Sequence, residues 1–167
     1  TSLKSTISIE SKVTGQAFTH IASYKGTLVA TKTLTFKSRN IDIPRETKKE
    51  MKMMRELHHD NINPFIGACL QPHYILLVTE YCAKGSLKDI LENPDIKLDH
   101  MFIASLVFDL IKGMIFLHDS DLKVHGNLKS SNCVVTSRWV LQITDYGLRE
   151  LCTAAENEIF LNYEHYK

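Results

Sequence analysis

The amino-acid sequence predicts an α+β fold of two lobes, a small one of antiparallel strands carrying a single helix and a larger helical one. Three observations predict it. Residues 16–37 are rich in Thr, Tyr, Val and Phe, as paired strands are. One Met-rich segment of helical spacing then separates that pair from two further apolar runs. From residue 86 onward, long apolar helical patterns take over.

Composition is compatible with this and excludes other classes. With 167 residues, 44% hydrophobic and 23% charged, the chain can bury a core that needs no metal or disulfide staple, and it is neither collagen-like nor a disordered tail. Cys69, Cys82, Cys133 and Cys152 form no CxxC pair and no zinc spacing, which fits reduced thiols in a cytosolic compartment. Residues 1–60 carry a net charge of +5 and residues 61–167 a net charge of −4, so one lobe is basic and the other acidic. The basic residues alternate with acids and have no interleaved aromatic platform, which argues against a nucleic-acid surface.

The elements follow in order. Residues 18–24 and 27–35 are strands of a hairpin about Lys25-Gly26. Pro44-Arg45-Glu46 opens a helix over 44–58, on which Met51, Met54 and Leu57 recur at helical spacing with Met53 beside them. After a turn at 60–64, residues 66–70 and 74–79 are strands separated by Gln71-Pro72-His73. A short helix spans 86–91. Residues 98–118 are apolar nearly all round, which predicts a helix buried inside a helical lobe. The uncharged apolar run within it, residues 100–108, falls short of the about 20 residues of a membrane span, so no spanning segment is expected. Short strands at 133–136 and 140–144 flank a turn at Ser137-Arg138, and no element is predicted beyond Gly147.

Several short motifs stand in order on these elements. Val29-Ala30-Thr31-Lys32 lies on the second strand, and Glu50 lies on the helix nine residues before His59. Thr79-Glu80-Tyr81-Cys82-Ala83-Lys84-Gly85-Ser86-Leu87 joins the halves; His125-Gly126-Asn127-Leu128-Lys129-Ser130-Ser131-Asn132 and Asp145-Tyr146-Gly147 follow. A lone Val-Ala-x-Lys is commonly a strand ending in a solvated lysine, and a lone Asp-Tyr-Gly is commonly a turn. As an ordered set in these contexts they resemble the protein-kinase fold. The resemblance implies a kinase-like small lobe at 1–80, a hinge at 81–85 and a partial large lobe at 86–167, cut before its C-terminal helices. It also implies that Lys32, held by Glu50, contacts nucleotide phosphates. Thr79, Glu80 and Cys82 would line the nucleotide at the hinge, and Asn132 and Asp145 would hold Mg²⁺ with it.

The departures from that pattern point away from phosphoryl transfer. Asn127 stands where the catalytic aspartate belongs, and an amide has no useful basicity, so no catalytic residue is assigned. Gly126 replaces the neighbouring arginine. With Phe18 as the aromatic of the phosphate loop, Thr14, Gln16 and Thr19 occupy three glycine positions and only Gly15 remains. Residues 125–135, with Ser137-Arg138-Trp139-Val140-Leu141, Ile143-Thr144-Asp145-Tyr146-Gly147-Leu148 and the upstream Lys112-Gly113-Met114-Ile115-Phe116-Leu117-His118, resemble the kinase-homology domain of membrane receptor guanylyl cyclases of the natriuretic-peptide-receptor-like group.

That resemblance implies a regulatory pseudokinase on the cytoplasmic side of a single-pass membrane receptor. It would bind ATP and Mg²⁺ in the interlobe cleft as allosteric ligands. It would couple an extracellular ligand to cyclic GMP synthesis from GTP by a downstream cyclase domain absent from this chain, within a homodimer. Two alternatives stand beside it: a nucleotide-free scaffold that dimerises through the helix at 44–58, and a weakly active protein kinase. His58 and His59 sit in no metal-binding frame, and Ser130 and Ser131 have no base in frame, so they are read as structural. The start without Met and the end at Lys167, before any Ala-Pro-Glu, suggest a piece of a longer protein. The helix at 98–118 is then expected to expose apolar faces and to favour self-association.

Overall fold

A computed structural model of the chain describes the backbone of residues 7–9 and 19–164 and the side chains of residues 20–156. Its elements are β1 (Ile7–Ile9), β2 (Thr19–Tyr24), β3 (Thr27–Thr35), α1 (Arg45–Glu56), β4 (Phe65–Gln71), β5 (Tyr74–Glu80), α2 (Leu87–Glu92), α3 (His100–Asp119), β6 (Cys133–Val135), β7 (Leu141–Ile143) and α4 (Arg149–Glu164). They form two compact units. One comprises Thr1–Lys52, Ile66–Glu80 and Leu148–Lys167, the other Met53–Phe65 and Tyr81–Gly147.

The first unit is built on a five-stranded sheet of order β1-β2-β3-β5-β4. Lys25 and Gly26 both take positive φ, 51° and 81°, the left-handed turn whose twist suits a two-residue hairpin. The β2–β3 register sets Thr19 opposite Lys32, and β5 pairs with β3 so that Leu77 lies opposite Lys32 and Thr79 opposite Ala30. Alternation along β3 turns Val29 and Thr31 into the interior and leaves Ala30 and Lys32 half-buried on the other face. Ala22, Val29 and Val78 form a buried cluster against which Tyr24 and Ile66 pack. Helix α1 begins one residue later than predicted. The Pro44 carbonyl accepts from the Lys48 N–H at 3.1 Å, so the proline sits just outside the helix, where its missing N–H costs nothing.

The second unit gathers α2, α3, β6 and β7. Ser86 precedes α2 as its cap: its hydroxyl accepts from the Asp89 N–H at 3.1 Å, and the Asp89 carboxylate accepts from the Ser86 N–H at 3.0 Å. Asp99 caps α3 by accepting from the Phe102 N–H at 2.8 Å. The turn after α1 runs parallel to β7: the Asn63 N–H donates to the Ile143 carbonyl, and the Ile143 N–H to the Asn61 carbonyl, each at 2.9 Å. Ile62, Ile90, Leu117, Val135, Leu141 and Ile143 make this unit's interior.

Three expectations need correction. Helix α3 is not buried all round: Leu106, Asp109, Gly113 and Leu117 are its buried residues, whereas Met101, Phe108, Ile111 and Ile115 are 79%, 62%, 50% and 58% exposed. An all-round apolar helix needs neighbours on every side, and the described residues cover one. The exposed apolar faces expected at 98–118 are therefore present. Second, α3 with its 20 residues is long and apolar enough, by length and composition, to cross a membrane. Its midpoint nevertheless carries Asp109, which accepts from the Leu141 N–H at 3.1 Å and pairs with Lys112 at 3.0 Å, tying the helix to β7 within this unit. Third, the chain beyond Gly147 forms the 16-residue helix α4. Its apolar signal is thin, because Leu148, Leu151 and Ala155 supply the buried residues among those whose side chains are described.

Candidate functional site

In the first unit the sheet fixes the backbone of Lys32 from both sides, between Thr19 of β2 and Leu77 of β5. Its side chain is half-buried. Thr79, half-buried, and Glu80, exposed, end β5 opposite Ala30 and Val29. Glu50 projects from α1, which lies in the same unit as far as Lys52. The structure gives the Glu50 carboxylate a partner other than the lysine the resemblance implies: Oε1 accepts from the backbone N–H of Leu148 at 2.9 Å. The phosphate-loop positions Thr14, Gly15, Gln16 and Phe18 lie outside the described residues, and only the backbone of Thr19 is described.

In the second unit the loop ahead of β6 is organised by His125. This ring is 6% exposed, and its two nitrogens reach in opposite directions. Nδ1 accepts from the Asn127 N–H at 3.2 Å, which makes Nε2 the protonated nitrogen and the donor to the Thr144 carbonyl at 2.9 Å. Burial lowers the pKa below the ordinary histidine value, against smaller opposing contributions from the Thr144 hydrogen bond and the Asp145 charge. A neutral ring is what both hydrogen bonds require.

Asn127 and Asn132 are locked to each other through this loop. The Asn132 Nδ2 donates to the Asn127 carbonyl at 2.8 Å, and the Thr144 N–H donates to the Asn132 carbonyl at 3.0 Å. Asn132 is 4% exposed, so its amide is held in one orientation with Oδ1 as its remaining acceptor. Asp145 follows β7 at φ 58°, a left-handed conformation that aspartate tolerates better than most residues, and is half-buried. An amide oxygen and a carboxylate are the hard donors that Mg²⁺ prefers, so this pair suits a cation that arrives with nucleotide phosphates. Among the described residues, no group of three or more His, Cys, Asp and Glu side chains could hold a metal by itself.

Sequence reasoning missed the polar cluster behind this loop. Tyr146 is 3% exposed, and its hydroxyl donates to the Asn63 carbonyl at 2.7 Å. Asn63 Nδ2 donates to Gln142 Oε1 at 3.1 Å and to Cys82 Sγ at 3.4 Å, and the Cys82 thiol in turn reaches Gln142 Oε1 at 3.4 Å. Cys82 is thus a buried member of this cluster. The signal available was Asn61-Ile62-Asn63-Pro64, two asparagines flanking an apolar residue, which reads as a turn until β7 is placed beside it. The segment after Cys82 is fastened as well: the Lys84 N–H donates to the Val135 carbonyl at 3.1 Å, and the Val135 N–H to the Gly85 carbonyl at 2.9 Å. Lys84 Nζ lies 4.9 Å from the Trp139 ring centre, and Phe102 meets that ring edge-on at 5.2 Å.

Comparison with known proteins shows the family. Residues 10–163 match the family described as protein tyrosine and serine/threonine kinase. The chain is 60% identical over 166 residues to the receptor-type guanylate cyclase Gyc76C of Drosophila melanogaster, covering 99% of this chain and 11% of that protein. It is 53% identical over 152 residues to the resact receptor of Arbacia punctulata, covering 91% and 15%. It is 51% identical over 141 residues to the human atrial natriuretic peptide receptor 2, covering 84% and 13%. The chain thus spans between 11% and 15% of the length of these three relatives.

Proposed function

The chain belongs to the protein tyrosine and serine/threonine kinase family and corresponds to the kinase-homology region of receptor guanylate cyclases; from that premise we propose that it is a nucleotide-binding regulatory module and not a phosphotransferase. The observation that carries this reading is the state of the loop at Asn127. The position of the general base holds an amide, and the backbone on both sides of it is tied into the His125 and Asn132 hydrogen bonds. The loop is built, ordered and without a base. The donors suited to a nucleotide-borne cation, Asn132 Oδ1 and the Asp145 carboxylate, remain.

In this reading Lys32 engages the phosphates of ATP, and Asn132 and Asp145 hold the Mg²⁺ that accompanies them. Thr79, Glu80 and Cys82 belong to the segment that receives the base. Mg²⁺ supplies charge neutralisation of the bound phosphates, and no bond is broken. Binding then shifts the protein between two states in proportion to the nucleotide's differential affinity for them. On the cytoplasmic side of a membrane receptor, that shift would be read by a downstream cyclase domain within a homodimer, relaying an extracellular ligand to cyclic GMP synthesis. The competing reading, a nucleotide-free dimerisation scaffold, draws on the Glu50–Leu148 hydrogen bond, which gives this α1 carboxylate a structural role.

Titration of the folded chain with ATP and Mg²⁺, beside Lys32→Ala and Asp145→Ala, separates the two. Saturable binding weakened at least about tenfold by each substitution is expected, since each removes a charged contact worth more than about 1.4 kcal/mol. A folded chain that binds no ATP, or binds it with indifference to both substitutions, belongs to the scaffold.

A further inference from the structure

We propose that the outward face of α1 is a docking surface for the anionic headgroups of a lipid bilayer. This docking goes beyond nucleotide binding and rests only on the placement beside a membrane given above. Its basis is a stripe of charge. Arg45, Lys48, Lys49, Lys52 and Arg55 are all exposed, and their spacing of three and four residues puts them on one side of the helix. The stripe runs for about 15 Å at the helical rise of about 1.5 Å per residue. Thr47 and Met54, 8% and 5% exposed, turn the opposite side inward, with Met51 half-buried beside them. Glu46 and Glu50 lie to one side of the stripe, and Glu56 is the acid within it. The loop leading into α1 adds the exposed Lys37 and Arg39 against Asp42.

This arrangement does not serve the helix itself. Arg45 with Lys48 and Lys49, and Lys52 with Lys48, Lys49 and Arg55, stand at the spacings where like charges on a helix repel. Cations near the N-terminus also oppose the helix dipole, which favours only Arg55 in the last turn. An anionic surface facing the stripe offsets that repulsion.

The chemistry of the face selects a bilayer among the anions. The apolar side of α1 is turned into the protein, so its exposed side offers charge without the apolar or aromatic anchor that centres a protein interface. Residues 37–56 contain no aromatic residue on which a base could stack. Bilayer headgroups need neither anchor nor platform, because they present charge over an extended plane and attract flexible Lys and Arg side chains by charge alone. Helix α1 therefore rests on the headgroups and does not enter the hydrocarbon. The other anionic surface within reach is the acidic part of a second copy, residues 61–167.

The test is co-sedimentation of the chain, without nucleotide, with phosphatidylcholine vesicles that contain or lack phosphatidylserine. Neutral vesicles offer the same hydrocarbon to the exposed side of α3 and so measure apolar adhesion. Binding is expected to require phosphatidylserine and to be released near 1 M salt, where the Debye length falls to about 3 Å. Lys48→Glu combined with Lys49→Glu should weaken it at least about tenfold, since each cation near the surface contributes about fivefold. These acids stand in the N-terminal half of α1, where the dipole favours them, so thermal unfolding should show no loss of stability. Lys88→Glu combined with Lys97→Glu makes the same charge change at exposed positions of the second unit and should weaken binding less than about threefold. Equal weakening by the two pairs would overturn the stripe, as would equal binding to both kinds of vesicle. If reversal at Lys48 and Lys49 instead lowers the average mass in sedimentation velocity and leaves vesicle binding unchanged, the stripe meets a second copy and the bilayer proposal fails. A chain that binds vesicles through the stripe but binds no ATP would sink the nucleotide reading and leave the docking surface in place.

Discussion

Tyr146 shows how one atom changes the meaning of a motif. The family pattern has phenylalanine at this position, and the ring alone would fill the same apolar space. The hydroxyl adds a buried hydrogen bond to the Asn63 carbonyl, and burial raises the phenol pKa well above its ordinary value, so the group remains a donor at every usable pH. Tyr146→Phe therefore restores the family residue but removes the buried hydrogen bond to the Asn63 carbonyl. Chemical denaturation is expected to show a loss of about 1–2 kcal/mol, against no change if the hydroxyl were idle. The pairing itself was not legible in the sequence, because Asn63 and Tyr146 are joined by tertiary placement and by no local spacing. Lys32, Asn127, Asn132 and Asp145 were legible, because their motifs are local and their order along the chain is preserved.

At the scale of elements, Gly113 in α3 reverses an ordinary expectation. Alanine in a helix interior is favoured over glycine by about 1 kcal/mol. A Cβ at Gly113, however, would lie 2.7 Å from the Asn61 carbonyl oxygen and 2.9 Å from Ile143 Cδ1. The oxygen is backbone, and it already accepts the Ile143 N–H, so it cannot yield without opening the contact of residues 60–64 with β7. Gly113→Ala is expected to destabilise the second unit by about 1–3 kcal/mol, the usual cost of overpacking, and thermal unfolding would register this as a lower Tm. A rise in Tm would mean that α3 moves freely away from β7. Strands β2 to β7 and α1 were predicted to within about two residues, since hairpin turns and helical spacing are local signals, whereas β1 was not predicted. Helix α4 was not, because its stability comes from β3 and from Glu50, partners far away in the chain.

For the whole molecule the decisive feature is the uncovered side of α3. Met101, Phe108, Ile111 and Ile115 form an exposed apolar row too extensive for an isolated soluble domain to present without consequence. The chain alone is expected to associate with itself as concentration rises, which sedimentation velocity would report as a growing average mass. Phe108→Lys combined with Ile115→Lys should return it toward the monomer, because neither side chain belongs to the buried face at Leu106, Gly113 and Leu117. A monodisperse monomer at high concentration would contradict this.

The sequence by itself determined the fold class, the kinase-like order of motifs and the asparagine at position 127 where the kinase pattern has aspartate. Each of these depends on residue identity and short-range spacing, to which backbone geometry responds locally. Only the tertiary structure decided that the Glu50 carboxylate accepts from the Leu148 N–H, that residues 149–164 form a helix packed on the strand of Lys32, and which side of α3 is buried. The reason is physical: an all-round apolar helix can bury any of its faces, and a glutamate carboxylate can meet any of several donors. The choice falls to the neighbours that packing brings within reach.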